Sequence, residues 1–382
     1  MKIIVKIFLI FFISLFNTIN SLADAKIKIG LIVPLSGEYS DIGNSILKSV
    51  RLAVDKIDNN KILVIPKDTK ANPIDALRIS KELYNQGVRI IIGPVFNESS
   101  KYLNELEEIT FISFTNKIRD NPKNVISAGV NAISQINTIN KFLDIEKLER
   151  PIFLIPSTDY KKEIDFAISQ TKIKLKDKFI YDQSPTKLTD QIGKITRYPQ
   201  RKQHLEDEIK RLENSNVPNK EKKISNLKKK DTLGFINFDS VIIADFDESL
   251  KSVATSLLYT DVSSERVKYI TLNQWFDRSL LKENSLQPLY FPSINKDNYE
   301  IFVKEYLESY ESEPNQLSFL SYDLFGLVYY LLYNNNFDLE KNIFQKKNKF
   351  KGKIGIFEIE KNTITHQLNF YSVEDNKFKK IF

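Results

Sequence analysis

The 382-residue sequence contains no cysteine, one methionine, one tryptophan and 2 histidines. The lack of cysteine excludes disulfides, cysteine-ligated zinc, iron–sulfur clusters, thiol catalysis and a cysteine-linked lipid anchor. Two histidines, His204 and His366, are too few for a multi-histidine metal centre. No G-x-S-x-G, P-loop or H-E-x-x-H pattern occurs. No catalytic residue, metal or cofactor is therefore expected. Long apolar runs are also scarce: past the first 25 residues none nears the ~20 residues that span a bilayer.

The remaining composition is that of a globular chain, 42% hydrophobic and 27% charged, which excludes bulk disorder. The length suggests about two domains. Lys and Arg number 56 against 49 Asp and Glu, a net charge of +7. That excess is not spread evenly.

Residues 1–25 read as a secretory signal peptide. Lys2 and Lys6 form a basic start, Ile7–Phe16 is a ten-residue apolar run, and Ala23-Asp24-Ala25 offers a cleavage site. An uncleaved anchor is the alternative. Cleavage after Ala25 removes two lysines and one aspartate and leaves +6. The expectation is a soluble periplasmic protein.

From Lys26 onward, apolar strands alternate with helical periodicity. Lys26–Leu35 reads as a buried strand, and Ile46, Leu47, Val50, Val54 and Ile57 mark a helix face. Ile62–Ile65 and Val88–Ile92 read as strands, with Asn72-Pro73 opening a helix that Gly87 stops. A helix near Ser99–Glu108 and a strand Phe111–Phe114 complete a first unit. A second unit has strands at Pro151–Ile155, Phe179–Tyr181, Ser240–Ala244 and Val267–Leu272, and helices at Lys161–Ser169 and Ser249–Leu258. Aromatic-rich helices follow at Asn298–Tyr310 and Tyr322–Tyr333, then an alternating tail from Phe350. The order predicts an α/β protein with parallel sheets covered on both faces.

Particular residues carry a resemblance. Residues 29–57, with Pro34-Leu35-Ser36-Gly37 and Gly43, resemble the opening of the type I periplasmic binding-protein fold, the leucine-binding-protein-like superfamily. Residues 87–95 (GVRIIIGPV) resemble its third strand, and Gly352, Gly355 and Phe357 its closing strand pair. This implies two doubly wound parallel-sheet lobes joined by three crossover strands. The boundaries expected are 26–146 and 275–362 for the N-lobe, and 147–274 and 363–382 for the C-lobe.

A narrower resemblance rests on Ile65-Pro66-Lys67-Asp68-Thr69, the charged segment 197–230, Asp231-Thr232-Leu233-Gly234 and the region around Trp275. These look like penicillin-binding protein activators of the alphaproteobacterial type, grouped with regulators of peptidoglycan synthesis. The partner implied is a periplasmic cell-wall synthase. A solute receptor working with an ABC-transporter permease, closing on an amino-acid-like ligand, is the alternative.

Ligands of open α/β sheets sit beyond the carboxyl ends of the strands. Ser36, Ser99, Ser100, Thr115 and Asn116 lie on such loops. The resemblance implies that Ser99 and Ser100, with the loop carrying Thr115 and Asn116, hold a carboxylate. Serines that only cap a helix are the alternative. Tyr160 matches an aromatic ligand position, although Lys161 stands where the family has glycine. Asp245 matches the residue that pairs with a ligand's ammonium, or is merely part of an acidic first helical turn. Trp275 is read at a lobe crossover, as a cleft wall or as a structural aromatic.

Segment 197–230 has few apolar residues and reads as a helical hairpin broken at Asn214-Ser215-Asn216 and Pro218. It holds eleven cations and five acids, so it carries +6, the whole excess of the mature chain. Arg201, Lys202, Lys210, Arg211, Lys222, Lys223, Lys228, Lys229 and Lys230 are candidates for docking a partner. A solvated helix pair is the alternative. Nucleic acid is not expected, because the segment is nearly free of aromatics.

Overall fold

A computed structural model describes residues 26–339, 343–360 and 363–382. The segment read as a signal peptide lies outside the described residues. The first sheet is parallel and is laid out from β1 (Ile27–Val33), with β2 (Ile62–Asp68), β3 (Ile90–Ile92), β4 (Thr110–Ser113) and β5 (Val125–Ser127) in the order β2-β1-β3-β4-β5. Alternation along β1 divides its side chains between two cores. Ile29, Leu31 and Val33 pack with Ile46, Val50 and Ala53 of α1 (Ser40–Ile57). Ile32 packs with Ile79 and Leu83 of α2 (Pro73–Asn85) on the other face. Asn72 caps α2 by accepting from the amides of Ile74 and Asp75, as its place before Pro73 predicts. Gly43 is required where α1 begins, because a Cβ there would lie 1.7 Å from the Pro34 carbonyl oxygen.

The expected helix near residues 99–108 is replaced by two short 3-10 turns, Asn97–Ser100 and Leu103–Glu105. The Asn124 side-chain amide donates to the carbonyls of Leu103 and Leu106, which a helix would need for itself. The strand β5 and the next helix, α3 (Ala132–Glu146), have no counterpart in the sequence reading.

The second sheet has seven strands. Its parallel part runs through β6 (Pro151–Pro156), β7 (Asp177–Tyr181), β8 (Ser240–Ile243), β9 (Lys268–Thr271) and β10 (Leu289–Ser293). The helices α3 and α4 (Tyr160–Gln170) cover one face. The helices α5 (Pro185–Ile195) and α8 (Asp247–Tyr259) cover the other. Between them the charged segment forms the expected hairpin, α6 (Tyr198–Glu213) and α7 (Lys220–Leu227).

After β10, α9 (Lys296–Tyr310) and α10 (Gln316–Asn334) return to the first lobe, where Ser45 and Ser49 of α1 bond to Ser318. The tail then divides. β11 (Asn348–Lys351), β12 (Ile356–Glu360) and β13 (Thr363–Gln367) form a separate antiparallel sheet, while β14 (Asn369–Glu374) and β15 (Lys377–Lys380) extend the second sheet beyond β10.

These pairings move all three expected boundaries. Ala132, Ile136 and Ile139 of α3 pack on the second sheet, so the first crossover lies near residues 128–131 rather than after 146. The second follows β10, near Ile294, rather than residue 274, because β10 pairs with β9 and β14. The third falls at Leu368, not 363, because β13 pairs with β12. Trp275 is therefore not a crossover residue; it sits in a turn after β9.

Candidate functional site

A cleft of about 1120 Å³ opens between the lobes. Its walls are the loops after β3 (Val95–Glu98), β4 (Phe114–Lys117), β8 (Phe246–Asp247) and β9 (Asn273–Arg278), together with α9 and the start of α10. Each of those loops leaves the carboxyl end of a parallel strand, where the sheet topology gathers loops from neighbouring strands.

Four of the eight candidate residues line this cleft: Thr115, Asn116, Tyr160 and Trp275. The Thr115 hydroxyl accepts from the Lys117 amide at 3.2 Å and holds its loop. Burial raises the Tyr160 phenol above its ordinary range, with Glu163 adding to the shift. Its ring lies 6.2 Å from Phe246. Trp275 and Phe276 form the corners of a turn closed by Asp277 N–H to the Gln274 carbonyl at 2.9 Å. Both have left-handed backbones, φ 47° and 58°, which bulky residues seldom adopt. Burial of Phe276 against Phe291 and Tyr371 offsets that strain.

The other four do not line the cleft. Ser36 donates to Asp68 at 2.5 Å, and Asp68 also accepts from the amides of Leu35 and Lys70. Burial raises the Asp68 carboxyl, but these bonds, led by Ser36, outweigh it and hold the group below its ordinary range. Ser99 donates to the Ala71 carbonyl at 3.3 Å, and Ser100 is buried. With only a single 3-10 turn at Asn97–Ser100, the carboxylate-binding helix start expected there is absent.

Asp245 is 5% exposed and turned into the second lobe. Its carboxylate accepts from the Tyr181 hydroxyl at 2.6 Å, from Gln183 at 2.9 Å and from the Phe246 amide at 3.0 Å. All three donors are neutral, and they occupy the oxygens that a ligand's ammonium would need.

Residues that the sequence reading missed close the inner end of the cleft. Gln135 of α3 donates to the Val130 carbonyl and accepts from the Asn273 amide, both at 2.9 Å. Asn273 in turn accepts from Ser293 at 2.8 Å. One chain of bonds thus ties the first crossover to the β9 loop and the end of β10. A bond from one lobe to the other runs from the Ile118 amide to Glu163 at 3.1 Å. With α3 unread, nothing local distinguished Gln135.

The docking set also divides. Arg201 is 5% exposed and is not a surface group. Its guanidinium donates to the Thr196 carbonyl (3.0 Å), the Thr232 hydroxyl (3.0 Å) and the Thr260 carbonyl (2.5 Å), and lies 3.7 Å from Asp261. Thr232 completes the link by donating to Asp261 at 2.5 Å. The Asp231-Thr232-Leu233-Gly234 run is therefore the clasp that seats the hairpin. Arg211 is exposed and pairs with Glu208 at 2.7 Å. Lys228 lies 3.9 Å from Glu213. Lys202, Lys210, Lys222, Lys223, Lys229 and Lys230 are exposed, with no ion-pair partner among the described residues.

Comparison with known proteins agrees with this architecture. A periplasmic binding protein family model matches residues 26–165. The Leu/Ile/Val-binding protein BraC3 of Rhizobium johnstonii is 30% identical over 80 residues, a match spanning 19% of this chain and 22% of that protein.

Among solved structures, a branched-chain amino acid ABC transporter periplasmic ligand-binding protein from Burkholderia xenovorans superposes with a TM-score of 0.64 at 10% identity, covering 94% of this chain and 95% of that one. The C-domain of LpoA from Haemophilus influenzae, a regulator of PBP1A, gives 0.60 at 14%, covering 93% and 100%. LivJ from Streptococcus pneumoniae, in complex with isoleucine, gives 0.54 at 16%, covering 93% and 98%. The fold is that of the type I periplasmic binding proteins, of the leucine-binding-protein-like kind. Its structural neighbours include both transporter binding proteins and a regulator of PBP1A. Among the described residues no helix is long and apolar enough to cross a membrane.

Proposed function

We propose that the protein is a non-catalytic periplasmic regulator of peptidoglycan synthesis, related to the penicillin-binding protein activators and acting through contact with a cell-wall synthase. The observation that carries this reading is Asp245, whose oxygens are taken by Tyr181, Gln183 and Phe246 inside the second lobe. With Ser99 and Ser100 also outside the cleft, the serines and the acidic residue expected to hold an amino acid's carboxylate and ammonium do not line it. The clasped hairpin 197–234, a feature of the narrower resemblance, points the same way.

A receptor for a branched-chain or related amino acid is the second reading. The observation favouring it is the cleft itself, which retains Thr115, Asn116, Tyr160 and Trp275.

Thermal shift and calorimetry against an amino-acid and peptide panel separate the two. A ligand present at one hundred times its Kd stabilises by about 2.7 kcal/mol. A shift with leucine or isoleucine that is lost in Trp275→Ala would establish the receptor and overturn the regulator as sole function. No shift, with capture of a cell-wall synthase, supports the regulator.

A further inference from the structure

The eleven residues from Lys220 to Lys230 hold six lysines, one glutamate and no arginine. The helix α7 at their centre buries none of its residues, and Ile224 and Leu227 are only half-buried. Lys222, Lys223, Lys229 and Lys230 are exposed, and no carboxylate pairs with any of them among the described residues. The helix α6 differs: Leu205 and Leu212 are buried, Arg201 is clasped and Arg211 pairs with Glu208. The first helix is the bracket, although Lys202 and Lys210 on it are also exposed; Lys222 and Lys223 of α7, with Lys229 and Lys230 just beyond its end, stand as bare ammonium groups.

The choice of cation identifies the kind of partner. Protein interfaces are enriched in arginine and aromatics and depleted in lysine, because arginine offers a rigid, bidentate fork. Lysine is a hydrated point charge on a flexible stem, which serves a diffuse anionic surface additively without needing a fixed, bidentate partner. Phe235, 83% exposed, follows the clasp at the hairpin's base and adds apolar surface of the sort that settles among headgroups.

We propose that the α7 ledge, with the turn that follows it, is a peripheral docking surface for anionic phospholipid, holding the two-lobed body beside a membrane. The attraction is additive over the lysines and screened by salt. It is independent of the cleft, so it stands or falls separately from either reading of the function.

The test is vesicle co-sedimentation of the chain from residue 26, wild type and K222E/K223E/K229E/K230E. The vesicles are phosphatidylcholine alone, or phosphatidylcholine with an equal share of phosphatidylglycerol. Immobilised polyglutamate serves as a second probe. Wild type is expected to pellet only with the phosphatidylglycerol vesicles and to be released by added salt. The fourfold variant, its thermal melt unchanged, should lose at least about tenfold in apparent affinity. Absence of pelleting, or pelleting that the variant retains, overturns the proposal. Retention on polyglutamate without vesicle binding also overturns it and assigns the ledge to an acidic protein.

Discussion

The lobes and the returning arm of the hairpin treat ionisable groups in opposite ways. Inside the lobes and at the seat of the hairpin, Asp245, Asp323, His366 and Arg201 are buried, and their hydrogen-bond partners are hydroxyls, amides and carbonyls. On α7 and in the turn after it, Lys222, Lys223, Lys229 and Lys230 face solvent without ion-pair partners among the described residues. A buried ionisable group is costly to strand, whereas an exposed one is nearly free to change. Stability should therefore be concentrated in residues that a charge map would overlook, and the most conspicuous charges should contribute almost none.

The largest effect is expected at Arg201. Arg201→Ala removes three hydrogen bonds from the seat of the hairpin, while Asp261 keeps Arg266 at 2.9 Å as its cation. A loss of about 2–3 kcal/mol is expected, from buried hydrogen bonds to a charged donor. Chemical denaturation measures it. Limited proteolysis should then cut first within residues 197–234, because the hairpin loses its seat before the sheets do. A loss below 1 kcal/mol would place Arg201 with the surface lysines.

Asp245→Ala comes next. It leaves the Tyr181 hydroxyl and the Gln183 amide without their acceptor, at a cost of about 1–3 kcal/mol. Because the carboxylate is outside the cleft, any ligand found by calorimetry should bind the variant with unchanged affinity. A tenfold weakening would return Asp245 to the site.

The dependence on pH is a smaller effect and sharpens the comparison within the lobes. Asp323 accepts from the amides of Lys353 at 2.8 Å and Ile354 at 2.6 Å, yet burial pushes its carboxyl up to about 7. Gly352 beside it admits no Cβ, which would meet the carboxylate at 2.2 Å. A carboxyl whose pKa is raised in the folded state binds more protons there than in the unfolded chain between about pH 4 and 7. Its contribution to stability therefore falls as pH rises through that window. His366 is the reverse case. Burial between β13 and the first crossover lowers it to about 4, while its ring bonds to the Ala128 carbonyl. The unfolded chain then binds the extra proton between about pH 4 and 6.5, so stability rises with pH there. The two slopes oppose each other, each at most about 1.4 kcal/mol per pH unit. Wild type should show little net slope from these two groups between pH 4.5 and 6. Asp323→Asn should expose a rising slope and His366→Gln a falling one in urea melts. Parallel slopes in the two variants would refute the pairing.

What the sequence revealed, and what it hid, divides by distance along the chain. Apolar runs such as Ile27–Val33 and Pro151–Pro156, and the Asn72-Pro73 cap, are local signals, and the structure forms the expected elements there. The hairpin was legible from its thin apolar stripe and its break at Pro218. Residues 99–108 were misread because the residue that prevents their helix, Asn124, lies outside the segment. Crossover positions depend on which sheet β10 and β13 join, a matter of pairing rather than pattern. The same holds in the cleft. Asp245 could be placed at a strand end, but its partners Tyr181 and Gln183 come from another strand and its following loop, some sixty residues away. Arg201 was one of eleven cations until Thr232 and Thr260 identified its place.

The smallest effect tests the other half of the comparison. Reversing Lys222, Lys223, Lys229 and Lys230 to glutamate changes eight units of charge at once. Exposed positions without partners usually move stability by less than about 0.5 kcal/mol each. Here the direction is also constrained. The hairpin carries +6, so the wild-type lysines repel their neighbours, and reversal removes that repulsion. The expected outcome is a midpoint in urea equal to wild type or slightly higher at low salt, with the difference vanishing as salt screens the field. A clear loss of stability would mean that α7 is held to the body by these lysines. The contrast between a clasped α6 and a bare α7 would then fail, along with the reason for regarding the ledge as free to meet a partner.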